Sequence, residues 1–185
     1  MSYYKGKTVL LTGGGKATLS DGSAGSIGYG VATAFAKEGA NLVITGRNRK
    51  KLEEAKEELE RLYGIRVLPV QADISAGNDN AATAAETVRQ AVEAFGGIDV
   101  LINNAQASAS GVPLASHTLE QFDLALYSGL YATFHYMQAT YPYLREAKGC
   151  VINFASGAGF FGHVGQCAYA AAKEGIRGLS RVAAT

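Results

Sequence analysis

Tyr169 and Lys173 stand four residues apart in a stretch with helical spacing of apolar residues, so both project from one face and their polar ends can meet. A tyrosine ordinarily titrates at about 10, too high for a useful base at neutral pH, but a neighbouring cation favours the phenolate. Such a phenol can exchange a proton with a substrate hydroxyl. Ser156, just past the apolar run Cys150 to Phe154, adds a neutral hydroxyl able to hold a substrate oxygen. Its expected task is orientation rather than attack. A serine nucleophile needs a histidine base, and His117, His135 and His163 sit in no recognisable triad setting. A tyrosine and lysine so spaced are common in helices, and a serine after a strand is commonly a cap. The order of all three, in a chain that opens with a loop suited to phosphates, gives them weight.

That loop follows the run Thr8 to Thr12. It reads Thr12, Gly13, Gly14, Gly15, continues to Gly25, Ser26, Ile27 and Gly28, and enters an amphipathic stretch. Strand, glycines and helix come in the order a pyrophosphate site requires. Glycines let the backbone turn sharply and approach phosphates closely, and the amides and dipole of a helix start stabilise negative charge. At the end of the second apolar run, where dinucleotide sites commonly place an acid for the ribose 2′-OH, stand Thr45 and Gly46, followed by Arg47. With no carboxylate there to repel a 2′-phosphate, NADP is expected over NAD, although Arg47 also fits a solvated turn. Asp73 either accepts from the adenine amino group or caps the following segment.

The elements that must position these residues alternate. Thr8 to Thr12, Asn41 to Thr45, Arg66 to Ala72, Val100 to Asn103 and Cys150 to Phe154 are expected as strands. Ile27 to Glu38, Lys50 to Tyr63, Ala81 to Phe95, Leu119 to Arg145 and Gln166 to Ala183 are expected as helices. Strands apolar at almost every residue must be covered on both faces, which predicts a doubly wound, three-layer α/β fold with a parallel, Rossmann-like sheet. Ligands of such sheets bind beyond the carboxyl ends of the strands, so the glycine loop, Gly46 to Asn48, Asp73, Asn103 to Ala107 and the stretch from Ala155 share one rim.

With 185 residues, 48% of them apolar, the chain is expected to close a single domain over residues 1–185. Seventeen Lys and Arg against sixteen Asp and Glu provide neither a basic face for nucleic acid nor an acidic tail. Cys150 and Cys167 lie far apart without metal-ligand spacing, which argues against a disulfide framework and a zinc site and makes a reducing cytoplasm the simplest location. No apolar run approaches the roughly 20 residues of a membrane helix, and Met1 to Lys7 lacks the apolar core of a signal peptide.

Taken together, the glycine loop, Asn103-Asn104-Ala105-Gln106, Ser156 and Tyr169-Ala170-Ala171-Ala172-Lys173 resemble the short-chain dehydrogenase/reductase family over nearly the whole chain, and Ser156 to Lys173 particularly resembles 3-oxoacyl carrier-protein reductases. The resemblance implies that Ser156 positions the substrate oxygen, that Tyr169 is the acid/base, and that Lys173 tunes Tyr169 and binds the nicotinamide ribose. It places the cofactor against Gly13, Gly14, Gly25, Ile27, Gly28, Arg47, Asp73, Asn103, Ala105, Tyr169 and Lys173. It also implies a homodimer or homotetramer built on Leu119 to Arg145 and Gln166 to Ala183. The implied reaction interconverts a ketone or aldehyde and an alcohol, with NADP or NAD carrying hydride.

The sequence departs from the family pattern in four places. Eleven residues separate Gly13 from Gly25 where the pattern has three, an expansion somewhat like that of enoyl reductases. Gln106 replaces a glycine. Gly129 stands where many members have an asparagine that anchors a relay water. Members continue for about another 60 residues, so the chain is expected to be C-terminally incomplete, cut after its fifth strand and the following helix. These departures keep two alternatives open: reduction of an activated C=C bond, and a catalytically impaired cofactor-binding scaffold or sensor.

Overall fold

The computed structural model describes residues 2–22, 25–75 and 79–185. Five parallel strands form one sheet in the order β3-β2-β1-β4-β5. They are β1 (Thr8–Thr12), β2 (Asn41–Gly46), β3 (Val67–Gln71), β4 (Val100–Asn103) and β5 (Cys150–Asn153). The helices are α1 (Ile27–Lys37), α2 (Arg49–Tyr63), α3 (Asn80–Phe95), α4 (Leu119–Ala125), α5 (Ala132–Ala147), α6 (Gly157–Phe161) and α7 (Cys167–Ala183).

Strand residues alternate between the two faces, and both faces are apolar. Val9, Leu11, Leu42 and Ile44 pack on one side with Ala32, Ala36, Leu52 and Leu59 of α1 and α2. Leu10, Val43, Val70 and Leu101 pack on the other with Ala84, Val88, Tyr136 and Leu144 of α3 and α5. The doubly wound expectation is met. β3 is an edge strand, which accommodates Pro69 where a central strand would lose a ladder hydrogen bond. β5 is the other edge, and its Val151 and Ile152 remain partly exposed.

Caps set the helix starts. The Asn48 side chain accepts from the Lys51 amide at 3.0 Å, and the Asp79 side chain accepts from Ala82 at 2.9 Å. Thr118 and Gln121 form a reciprocal box, each side chain accepting from the other residue's amide, at 3.2 and 3.1 Å.

The expected single helix from Leu119 to Arg145 is instead two helices joined by a π-helical turn, Leu126–Tyr131. Two small buried residues, Ser128 and Gly129, lie in that turn. The Ser128 hydroxyl accepts from the Ala107 amide at 2.9 Å and lies 2.5 Å from the Leu124 carbonyl and 3.0 Å from the Ala107 carbonyl. The turn is thereby stapled to the segment that follows β4.

Candidate active site

β1 and β4 are neighbours, and between their carboxyl ends the chain winds away in opposite directions, opening a crevice where doubly wound sheets hold ligands. A cleft of about 370 Å³ lies there. Gly13, Ile27, Gly28, Arg47 and Ala105, all expected at the cofactor, line it. Gly28 sets how closely the chain segments approach: a Cβ on it would lie 2.0 Å from the Gly13 carbonyl oxygen and 2.7 Å from Asn104 Nδ2. Ser26 caps α1, its side chain accepting from the Tyr29 amide at 3.3 Å, and the remaining first-turn amides have no intrahelical acceptor.

Other predicted cofactor residues sit differently. Gly14 packs inward against Ile44 and Leu11, and its amide, like that of Gly13, donates to the Thr45 carbonyl. The Gly25 amide donates to Ala17 at 2.6 Å within the expanded loop. Asp73 lines a neighbouring cleft and accepts from the amide and hydroxyl of Ser75 at 2.9 and 2.6 Å, the capping alternative. The Asn103 side chain donates across the sheet to Asn153 at 2.9 Å. Asn104 faces the cleft instead, with Nδ2 donating to the Thr12 carbonyl at 2.9 Å. The amides of Asn104 and Ala105 both donate to the Thr12 hydroxyl at 3.0 Å.

The expanded loop is held by a cluster that sequence inspection missed. Lys16 pairs with Glu58 of α2 at 2.5 Å, and the Tyr29 hydroxyl donates to the same carboxylate. The hydrogen bonds from Lys16 and then Tyr29 pull the Glu58 carboxyl below its usual range. Burial, followed by the Glu58 hydrogen bond, pushes the Tyr29 phenol well above its ordinary value.

Ser156 and Tyr169 line a second cleft of about 560 Å³, together with Ser108, Ser110, His163 and Gln166. Ser156 caps α6, accepting from the Ala158 amide at 3.1 Å, and its hydroxyl proton stays available. Tyr169 lies in the first turn of α7, and its hydroxyl makes no hydrogen bond with the described residues. Lys173, one turn further on, is 4% exposed. Its ammonium donates to the Phe154 carbonyl at 2.6 Å and stands 5.5 Å from the centre of the Tyr169 ring. Burial pulls this lysine down to about 8. Phenol and ammonium are therefore close, and the space before the phenol is open.

His163 lines this cleft without a carboxylate among the described lining residues, so no Ser-His-acid chain forms there. No group of three or more metal-ligating side chains occurs among the described residues. No described helix is long and apolar enough to cross a membrane.

Gly129 and Gln106 explain each other. A Cβ at position 129 would lie 2.7 Å from Gln106 Cδ, 2.8 Å from Nε2 and 3.0 Å from Oε1, so the carboxamide fills the space that a side chain on the π-turn would occupy. Gly129→Asn is expected to expel Gln106 and cost about 1–3 kcal/mol. Gln106→Gly combined with Gly129→Asn should recover most of that loss. Thermal unfolding of the single and double variants checks the coupling.

The chain belongs to the short-chain dehydrogenase family, whose family model matches residues 7–185. It is 63% identical over 185 residues to a 12alpha-hydroxysteroid dehydrogenase of a Clostridium species, covering 100% of this chain and 69% of that protein. It is 31% identical over 170 residues to a 3-oxoacyl-acyl-carrier-protein reductase of Staphylococcus epidermidis, covering 91% of this chain and 68% of that protein. The crystal structure of NAD+-bound xylitol dehydrogenase matches with a TM-score of 0.86 at 28% identity, over 98% of this chain and 65% of that one. The chain thus spans about two thirds of the length of these relatives.

Proposed function

We propose that this oxidoreductase interconverts a secondary alcohol and a ketone on a steroid-like ring, using NADP in preference to NAD. The reading rests on one observation above all: a buried ammonium stands 5.5 Å from the ring of a tyrosine that opens, with Ser156, onto an accessible cleft.

In this mechanism Ser156 donates its hydroxyl proton to the substrate oxygen and holds it in place. Tyr169 exchanges a proton with the same oxygen, giving it up as a ketone is reduced and taking it back as an alcohol is oxidised. Lys173 keeps a positive charge beside the phenol and so stabilises its deprotonated form. The relative of 63% identity, a hydroxysteroid dehydrogenase, supports the substrate class.

The cleft beside Gly28 fits a dinucleotide, because the contact with Gly13 fills the place of any Cβ and leaves main chain to meet phosphate. Gly13, Ile27, Gly28 and Ala105 would hold the pyrophosphate and ribose side, and Arg47 would pair with a 2′-phosphate. No carboxylate lies among the described lining residues to repel that phosphate. Bound there, the nicotinamide would supply or accept the hydride. Gly25, Asp73 and Asn103 carry no direct cofactor contact in this reading.

The test uses the full-length enzyme with a steroid bearing a secondary alcohol, following the absorbance of reduced nicotinamide. NADP+ should be favoured over NAD+ by at least about tenfold in kcat/KM, the worth of one charged contact. Turnover of an enoyl thioester without turnover of the steroid would put C=C reduction in its place. Cofactor binding without turnover on a carbonyl panel would leave only a scaffold.

A further inference from the structure

The cleft that holds Ser156 and Tyr169 is uneven in chemistry. Its floor is polar, with Ser108, Ser110, His163 and Gln166 beside the two reactive hydroxyls. Immediately next to this floor, on the connection between Ser156 and Tyr169, stand three large apolar side chains with no core to enter. Phe161 is 80% exposed, Val164 is 101% exposed, and Phe160 is 61% exposed.

The connection has a defined shape. The Phe160 and Phe161 rings meet edge to face at 4.8 Å, and the Arg177 guanidinium of α7 lies 4.6 Å over Phe160, which fixes the base of the pair. Past Val164, the Gly165 carbonyl accepts from the Gly111 amide at 2.9 Å, tying this connection to the segment beyond Ser110. His163, which lines the cleft, lies between Phe161 and Val164 in sequence, so the apolar side chains border the reaction space itself.

Contiguous apolar exposure rimmed by polar groups marks a surface that binds something. We propose that Phe161 and Val164 are specificity-determining residues: they form an apolar shelf that carries the fused-ring body of the substrate while Ser156 and Tyr169 engage its oxygen. This rests on the alcohol/ketone reading above and names the part of the site that would select a large apolar ring system over a small ketone. The cleft volume of about 560 Å³ lies within the range of roughly 300–1,000 Å³ usual for small-molecule sites.

Continuity with the cleft favours substrate as the occupant. The two other occupants for the shelf, a further segment of the full-length protein and a second copy of the chain, give different results in the same experiment. The variants are Phe161→Ser, Val164→Ser and the double, in the full-length enzyme. Each is assayed on a steroid ketone and on cyclohexanone, with melting temperature and oligomeric state recorded.

For the double variant, kcat/KM on the steroid should fall by about 30-fold, carried mainly by KM, as expected for losing a buried aromatic and a buried aliphatic contact. The value on cyclohexanone should stay within about twofold, with melting temperature and oligomeric state unchanged. Equal losses on both ketones, or none on the steroid, would overturn the proposal. A fall in melting temperature would assign the shelf to another segment of the chain, and dissociation would assign it to a second copy. Failure of the underlying reading is separable, because the wild-type enzyme would then turn over neither ketone.

Discussion

Tyr169→Phe is expected to lower kcat for ketone reduction by about 10³-fold while leaving dinucleotide affinity within about twofold. The phenol is the titratable hydroxyl facing the cleft beside Ser156, and removing one oxygen takes away the proton donor without opening a cavity. Stopped-flow reduction of a steroid ketone, with cofactor affinity from fluorescence titration, separates the two effects. An unchanged kcat would remove the proposed mechanism. Lys173 adds a pH signature. Burial holds it near 8 rather than its ordinary 10.5, so below pH 8 the ammonium is charged and supports the phenolate. As pH rises through about 8 that charge is lost, and the rate of ketone reduction should fall along the same limb. Lys173→Met should abolish the limb together with most of the rate. It leaves the Phe154 carbonyl without its donor but relieves a buried charge, so the melting temperature is a fair control.

The second large effect is expected at Gly28. Gly28→Ala would place a methyl group 2.0 Å from a main-chain oxygen, and Gly13 cannot yield without dragging the Thr12 and Asn104 contacts with it. Overpacking of this kind costs about 1–3 kcal/mol. The distortion falls on the loop and helix start proposed to meet the pyrophosphate, so dinucleotide affinity should drop by at least about tenfold, or 1.4 kcal/mol. Calorimetric titration with NADP+ and denaturant unfolding measure the two quantities. An alanine variant that binds as tightly as wild type would move the phosphate site away from α1.

Much of this arrangement was legible in residue patterns, for identifiable reasons. Thr8–Thr12 and Val100–Asn103 appear as read, because an apolar run bounded by turn residues has little freedom in a parallel sheet. The proximity of Tyr169 and Lys173 followed from helical periodicity alone. Asn103 and Asn104 were harder to assign. Adjacent strand residues point to opposite sides, so a shift of one position decides whether an amide joins Asn153 or the cleft. The Lys16–Glu58–Tyr29 cluster gave no local signal, since its members come from the loop, α1 and α2. Nor did the break in the long helix: Leu119 to Arg145 is helix-forming throughout, and Gln106 packing against Gly129 is a tertiary fact.

The π-turn has a mechanical consequence. A helix rotates by about 100° per residue, so the extra residue accommodated in the wider turn sets the phase of everything after it. With the present phase, Tyr136 points between α3 and the sheet, its hydroxyl 3.1 Å from that of Thr87. Deleting one residue from Leu126–Tyr131 would swing Tyr136, Thr140 and Leu144 out of the core together and bring polar neighbours in. The turn therefore works as a phase setter for α5, and evolution can exchange its side chains more readily than it can change its length.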